Sequence, residues 1–301
     1  MAAERWTILS ILKWTEDYFK KHGLDNPRFD AELLLAHILK LERLRLYLEF
    51  ERPLSEQELA EYKVMIKRRV NHEPVQYITG EAWFLGLKFL VDPRVLIPRF
   101  DTEVLVEQAL QVIKTQNITK VIDVGTGSGA IAISIGHFIT DIPITAIDIS
   151  SQALDVARTN AETYGLSQRI TFKEGDLLSP CLTDIKPEDR ILITANLPYV
   201  REKEWEVLSR EVKEHEPRTA LVSGEDGLEH YRRLVDTLAE IKIPYVAILE
   251  IGIDQAQAFQ RYIPSKFQNT TVSLIKDLNR KDRCVVIDNL GQGPESESAK
   301  V

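Results

Sequence analysis

The sequence predicts an α/β fold: a seven-stranded, mostly parallel sheet with an antiparallel edge, preceded by a small all-helical domain and a β-hairpin linker. Three observations predict it. From Lys120 onward, short β-branched runs alternate with helical patterns, as parallel strands with helices on both faces require. Before residue 75 the apolar residues recur at helical spacing. Near the C-terminus, Thr271 to Ile275 and Cys284 to Ile287 are two apolar runs joined by the turn residues Asp277 to Asp282, and a hairpin there adds the antiparallel edge.

The bulk numbers agree with that class. A chain of 301 residues holds about two domains. It is 44% hydrophobic and 28% charged, ordinary for a globular protein. The formal net charge of −8 argues against wrapping a nucleic acid backbone, which takes a basic surface. Cys181 and Cys284 do not form a C-x-x-C pair, so no disulfide framework and no metal site is expected. Both read as small buried hydrophobes in a reducing compartment. Glu4, Lys13, Glu16 and Asp17 interrupt the first apolar run, which is not a signal peptide. No stretch of about 18 apolar residues spans a membrane. The expected location is the cytoplasm, with no membrane partner.

In chain order, Ile8, Ile11, Leu12, Tyr18 and Phe19 mark an amphipathic helix from Thr7 to Lys21, stopped by His22-Gly23. Ala31, Leu34, Leu35, Ile38 and Leu39 mark a second. Ser55 to Glu58 is a capping box, opening a helix with Leu59, Tyr62, Ile66 and Val70. Residues 1–75 therefore form the helical domain, with Lys67-Arg68-Arg69 as a solvated helix end. Helical periodicity fails at Glu73. Pro74 to Gly80 and Trp83 to Val91 are aromatic and β-branched runs broken by glycine, read as the hairpin linker over 76–98. Asp101 or Thr102 then caps a helix carrying Val104, Leu105, Leu110 and Val112. The main domain occupies 99–289. Its first strand is Val121 to Val124, its second Ile144 to Ile147, its third Ile170 to Phe172, its fourth Arg190 to Ala195 and its fifth Tyr245 to Leu249. Ser150 or Ser151 caps the helix after the second strand, and Asp226 to Glu240 is helical. Residues 290–301, rich in Gly, Ser, Glu and Pro, read as a disordered tail.

The chemistry lies at strand ends, where open α/β sheets bind ligands. The first strand runs into Gly125-Thr126-Gly127-Ser128-Gly129. In the dinucleotide fingerprint the third glycine follows the second by three, to seat a pyrophosphate. Here it follows by two, which suits S-adenosylmethionine. Asp148 ends the second strand, where a carboxylate accepts from both ribose hydroxyls. Asp176, with its neighbour Leu177, follows the third, where it meets the adenine amino group. The fourth strand stops at Asn196-Leu197-Pro198-Tyr199: an amide, a rigid ring and an aromatic face, which together look like a receptor for a small planar group. Asn and Pro are also common loop residues after a strand. The combination of glycine loop, two acidic strand ends and this tetrapeptide points to methyl transfer.

Asn196-Leu197-Pro198-Tyr199 resembles the Asn/Asp-Pro-Pro-Tyr signature of methyltransferases acting on planar nitrogens. Pro74 to Gly80, Leu96 to Glu103, Asp123 to Ala132, Glu216 to Leu221, Gly224 to Leu228 and Asp282-Arg283 resemble the release-factor glutamine methyltransferases, the PrmC/HemK family, over about residues 5–289. The resemblance implies a Rossmann-like methyltransferase sheet. It implies as substrate the glutamine of the Gly-Gly-Gln motif of class I peptide chain release factors, methylated on its side-chain nitrogen (N5). It also places Phe100 beside the cofactor. Leu197 stands where proline is usual.

An amide nitrogen is a poor nucleophile, because its lone pair is delocalised into the carbonyl. A site must turn both N–H bonds so that the lone pair meets the methyl group, and must stabilise positive charge growing on nitrogen. The Asn196 side-chain oxygen accepts one N–H and the Leu197 carbonyl the other, while Tyr199 offers a π-face and Pro198 holds the turn. The expected catalytic residues are Asn196 and Tyr199; Asn196 also borders the cofactor. The expected partner is a release factor, bound by a monomer with the helical domain aiding recognition. The rivals are a nucleic acid methyltransferase acting on adenine or guanine, which must extract a base, and a binding module without turnover.

Overall fold

The computed structural model describes residues 5–267 and 270–292. The chain divides into a helical unit, residues up to Glu81 together with Ser209–His215, and an α/β unit made of the rest.

In the helical unit, Ile8–Lys21 (α1) starts with a capping box between Thr7 and Ser10, and Pro27–Leu39 (α2) has proline in its first turn. Arg45–Leu48 (α3) is a single turn. Glu56–Val70 (α4) starts with the expected Ser55–Glu58 capping box. Leu12, Phe19, Leu34, Leu35, Leu46 and Tyr62 fill the core, and the Tyr62 hydroxyl donates to the Ala31 carbonyl at 3.0 Å. Two expectations are corrected. Arg69 is not solvated: it is buried, with ion pairs to Asp30 and Glu211, each at 2.8 Å, while Arg68 pairs with Glu73 at 2.5 Å. The segment Val75–Thr79 (α5) is helix, not hairpin. Pro74 opens it, Gly80 closes it at φ +75°, and Val75 and Ile78 sink into the helical core. Burial there overrides the β-branched pattern.

In the α/β unit the hairpin is Glu81–Phe84 (β1) and Leu87–Leu90 (β2), turning through Leu85 and Gly86 at φ +48° and +76°. It is no free linker: Leu90 exchanges two backbone bonds with the Asn160 side chain. Glu103–Thr115 (α6) follows a 3₁₀ turn, and neither Asp101 nor Thr102 caps it by a side chain. Then come Lys120–Val124 (β3), Ala130–Phe138 (α7), Ile144–Asp148 (β4), Ser151–Thr163 (α8), Ile170–Glu174 (β5) and Ile191–Ala195 (β6). Ser150 caps α8, its hydroxyl accepting from Ala153 N–H. Four short helices went unread: α3, Glu202–Trp205 (α9), Arg210–His215 (α10, within the helical unit) and, after Glu229–Glu240 (α11) and Tyr245–Glu250 (β7), Ala256–Tyr262 (α12). Thr271–Lys276 (β8) and Asp282–Asp288 (β9) complete the sheet. Leu290–Gln292 form a 3₁₀ turn rather than disordered tail, and the remainder of that tail lies outside the described residues.

The sheet has seven strands in the order β5-β4-β3-β6-β7-β9-β8, parallel except where β9 meets β7 and β8. The fold class read from the sequence is the one observed. All five residues of β6 are buried, and a fully buried Ile or Leu stabilises by about 1.5–3 kcal/mol. The order reverses between β3 and β6, which opens a crevice at their carboxyl ends. Register decides what lines it. Ala195 pairs with Val124 on one side and Leu249 on the other. The next residues out, Gly125, Asn196 and Glu250, therefore stand side by side at the strand ends; Gly125 and Asn196 line the crevice and Glu250 is buried beside them.

Candidate active site

A cleft of about 300 Å³ occupies that crevice, within the α/β unit. Its wall includes Gly125, Thr126, Gly127 and Ser128 from the turn after β3, Asp148 from β4, Asp176 and Leu177 after β5, and Asn196, Leu197 and Pro198 after β6. Gly125 (φ +73°) and Gly127 (φ +55°) adopt the left-handed backbone that glycine takes at least cost. A side chain at Gly125 would meet Leu197 Cδ2 at 2.9 Å, so the glycine turn and the Asn196 turn are packed together.

Asp148 is anchored from both sides. Its Oδ2 accepts from Gly127 N–H at 2.8 Å and its Oδ1 from Ser150 N–H at 2.9 Å. Burial pushes its pKa up, and these two backbone donors pull it back. The carboxylate is fixed in place with a lone pair left on each oxygen. Asp123, buried below the glycine turn, accepts from Thr194 at 2.8 Å, and burial raises its pKa to about 6.

The arginines of the cleft wall are already paired: Arg94 with Asp92 at 2.6 Å, Arg99 with Glu216 at 2.5 Å, and Arg233 with Asp176. A pyrophosphate finds no unpaired guanidinium among them. A ligand with hydroxyls, an amino-purine and a net positive charge fits this wall better: fixed acceptors, two positive-φ glycines and apolar Leu177 and Ile149. No helix of the described residues is long and apolar enough to cross a membrane.

Asn196 is half-buried, and its Nδ2 donates to Thr102 Oγ1 at 3.0 Å. That leaves Oδ1 as the acceptor on offer. The turn behind it is held at several points. Leu197 N–H donates to the Tyr231 hydroxyl at 3.0 Å, and that hydroxyl donates to the Glu250 carbonyl. Gln255 Nε2 donates to the Tyr199 carbonyl at 3.0 Å. The Tyr199 hydroxyl donates to Glu250 Oε1 at 3.4 Å; burial, then the facing carboxylate, pushes its pKa well above the usual phenol. The phenol stays protonated.

Three expected site residues stand apart from the wall. Gly129, at φ +83°, is the N-cap of α7, and a Cβ there would strike Ile133 at 2.7 Å and Ala157 at 3.2 Å. The missing side chain lets α7 pack closely on α8 there. Tyr199 lies behind the wall, facing Glu250. Phe100 is 77% exposed and outside the wall. Sequence reasoning missed Thr102, Glu250, Tyr231 and Gln255. Glu250 was within reach, since it ends a strand as Asp148 does. Tyr231 sits on α11 and Gln255 at the N-cap of α12, and no local pattern marks them.

Residues 10–80 match the model of the PrmC N-terminal domain, and residues 121–215 that of a methyltransferase domain. Among curated relatives, the release factor glutamine methyltransferase of Chlorobaculum tepidum is 40% identical, over 92% of this chain and 96% of its own length. Those of Geobacter sulfurreducens and Bacillus subtilis are 41% and 38% identical, over 84% and 93% of this chain and 87% and 96% of theirs. A solved structure of the hMettl16 catalytic domain in complex with an RNA hairpin superposes with TM-score 0.52 at 16% identity, over 78% of this chain and 81% of that one, a likeness of fold. With relatives of this identity aligned along nearly their whole length, the chain belongs to the release factor glutamine methyltransferase family.

Proposed function

We propose that this protein transfers a methyl group from S-adenosylmethionine to the side-chain amide nitrogen of the glutamine in the Gly-Gly-Gln motif of class I release factors. The observation that carries the reading is the Asn196 amide, whose Nδ2 is committed to Thr102 so that Oδ1 can accept a substrate N–H. Leu197 adds its backbone carbonyl as the second acceptor. Together they would turn a flat carboxamide so that its nitrogen lone pair faces the cofactor. Asp148, Gly125, Thr126, Gly127 and Ser128 would hold the cofactor's ribose and amino-acid portions, and Asp176 Oδ1, beside the Arg233 pair, its adenine. The cofactor, when bound, supplies an electrophilic methyl on a positively charged sulfur. The chain contributes orientation and acceptors for the charge that grows on nitrogen. Tyr199 braces the turn from behind, with its hydroxyl donating to Glu250 Oε1.

The protein is read as a cytoplasmic monomer acting on a protein, without direct nucleic acid contact; the net charge of −8 supports that choice. A radiolabel transfer assay tests it, offering release factor, DNA and RNA side by side. Label on the release factor alone is expected. Label on either nucleic acid, with none on protein, would overturn the reading.

A further inference from the structure

We propose that His230 contacts the main chain of the substrate: Ser223 fixes its ring so that Nε2–H is a neutral donor, and the acceptor it takes is a backbone carbonyl of the Gly-Gly-Gln segment. This deepens the glutamine reading above and rests on it.

His230 lies in the first turn of α11, half-buried, and lines the cleft together with Pro198. Its place relative to the Asn196 turn is held twice. The next residue, Tyr231, accepts the Leu197 N–H on its hydroxyl at 3.0 Å. Ser223, which bonds the His230 ring, follows a short parallel bridge between Val200 and Val222. There Val200 N–H donates to the Leu221 carbonyl at 2.8 Å, and Ser223 N–H donates to the Val200 carbonyl at 2.9 Å. The bridge starts directly after Tyr199. Both ties act on the tetrapeptide that presents the amide acceptors, so the imidazole keeps a fixed station beside it.

Hydrogen-bond directions set the tautomer. Ser223 is fully buried. Its Oγ accepts the His230 backbone N–H at 3.2 Å and lies 2.7 Å from His230 Nδ1. A hydroxyl has one proton to give. Among the described residues, Nδ1 is the acceptor within reach of this one. Nδ1 therefore accepts, and a neutral imidazole that accepts at Nδ1 carries its proton on Nε2. Nε2 has no hydrogen-bond partner among the described residues. With Nδ1 turned to Ser223, it is the ring nitrogen left for a ligand.

The surroundings select that ligand. In the reading above, Asn196 Oδ1 and the Leu197 carbonyl are acceptors, and the arginines of the wall are paired with carboxylates. A peptide brings a carbonyl for each N–H. Two glycines offer nothing but main chain, so a site that distinguishes them must bond to the backbone. Seating such a segment beside two acceptors takes a donor as well. An uncharged N–H matches a peptide carbonyl, whereas a carboxylate or phosphate is matched by a free cation.

The test measures kcat, KM for release factor and cofactor Kd for the full-length parent, His230→Phe, His230→Gln and His230→Asn. His230→Phe keeps a ring and removes the donor. Its KM should rise roughly three- to tenfold, the scale of one neutral hydrogen bond. Its kcat and cofactor Kd should stay within about twofold of the parent. A glutamine N–H reaches as far as Nε2, and an asparagine N–H only as far as Nδ1. His230→Gln should therefore keep KM within about twofold, while His230→Asn should match His230→Phe. In nitrogen-15 NMR of histidine-labelled protein, in buffer alkaline enough to keep imidazole neutral, the signals lost in His230→Phe should show a protonated Nε2 and a bare Nδ1. Ser223→Ala should turn that single tautomer into a mixture. A His230→Phe KM within about twofold of the parent overturns the proposal. So does a proton on Nδ1 in the parent, an unchanged tautomer in Ser223→Ala, a His230→Asn better than His230→Gln, or a cofactor Kd that rises as much as KM. If circular dichroism shows His230→Phe unfolded, the Gln and Asn pair decides. A parent that leaves release factor unmethylated overturns the glutamine reading itself, a result separable from any defect of the variants.

Discussion

Leu197→Pro would restore the residue usual at this position, and the structure says it should destabilise. Three terms decide the sign. A proline that replaces a compatible residue stabilises by about 0.4–1 kcal/mol, by restricting the unfolded chain. Against this, Leu197 N–H donates to the buried Tyr231 hydroxyl at 3.0 Å, and proline has no N–H. Losing that bond costs about 0.5–1.5 kcal/mol. The Leu197 side chain is 4% exposed and packs on Gly125; trimming it by a methylene costs about 0.8 kcal/mol more. The net is a loss of roughly 1 kcal/mol, a fall in Tm of about 2–4 °C for a unit of this size. Thermal unfolding of parent and variant at one protein concentration, without ligand, measures it. A Tm that rises in Leu197→Pro would show that the Tyr231 contact contributes little and that the reasoning about this turn is wrong.

Asn196→Ala should abolish methyl transfer while cofactor Kd stays within about threefold, because only the substrate acceptor is lost; retained activity would remove its assigned role. Asp148→Ala should weaken cofactor binding at least tenfold by calorimetry, since a charged acceptor and its two backbone anchors go together; an unchanged affinity rejects the ribose assignment. Arg69→Ala should cost about 3–5 kcal/mol in urea unfolding, because it strands the buried Asp30; a loss below about 1 kcal/mol would show that the pair is dispensable. Glu250 sets a pH dependence of stability. Its folded pKa is raised from 4.5 to about 7, so its stabilising contribution is full below about pH 4.5 and is lost as pH rises through about 7, roughly 3 kcal/mol in all. Glu250→Gln should therefore gain stability relative to the parent between pH 5 and 8; a parallel pair of stability–pH curves would contradict this.

Most of the α/β unit was legible because its signals are local. The continuous apolar run of β6 and the glycines of the turn act within a few residues of themselves, as does the capping box at Ser55 in the helical unit. What was misread depends on contacts far along the chain. Val75 to Thr79 has a strand's composition, yet two of its side chains complete the helical core, and that burial makes it helix. Arg69 looks like any cation at a helix end until Asp30 and Glu211 close on it. At the site, the strand-end rule found Asp148 and Asn196. It did not reveal that Thr102, read as a cap, turns toward Asn196, nor that Tyr199 faces inward to Glu250. Those directions follow from strand register, which places Gly125, Asn196 and Glu250 abreast. Register is settled by the whole sheet.

The measurement that bears most directly on the central claim is tandem mass spectrometry of the Gly-Gly-Gln peptide from a release factor co-expressed with this protein. The expected result is the mass of one added methyl group located on the glutamine side chain, present with the parent and missing with Asn196→Ala. An unmodified glutamine with the parent, or a methyl group on another residue, would contradict the claim.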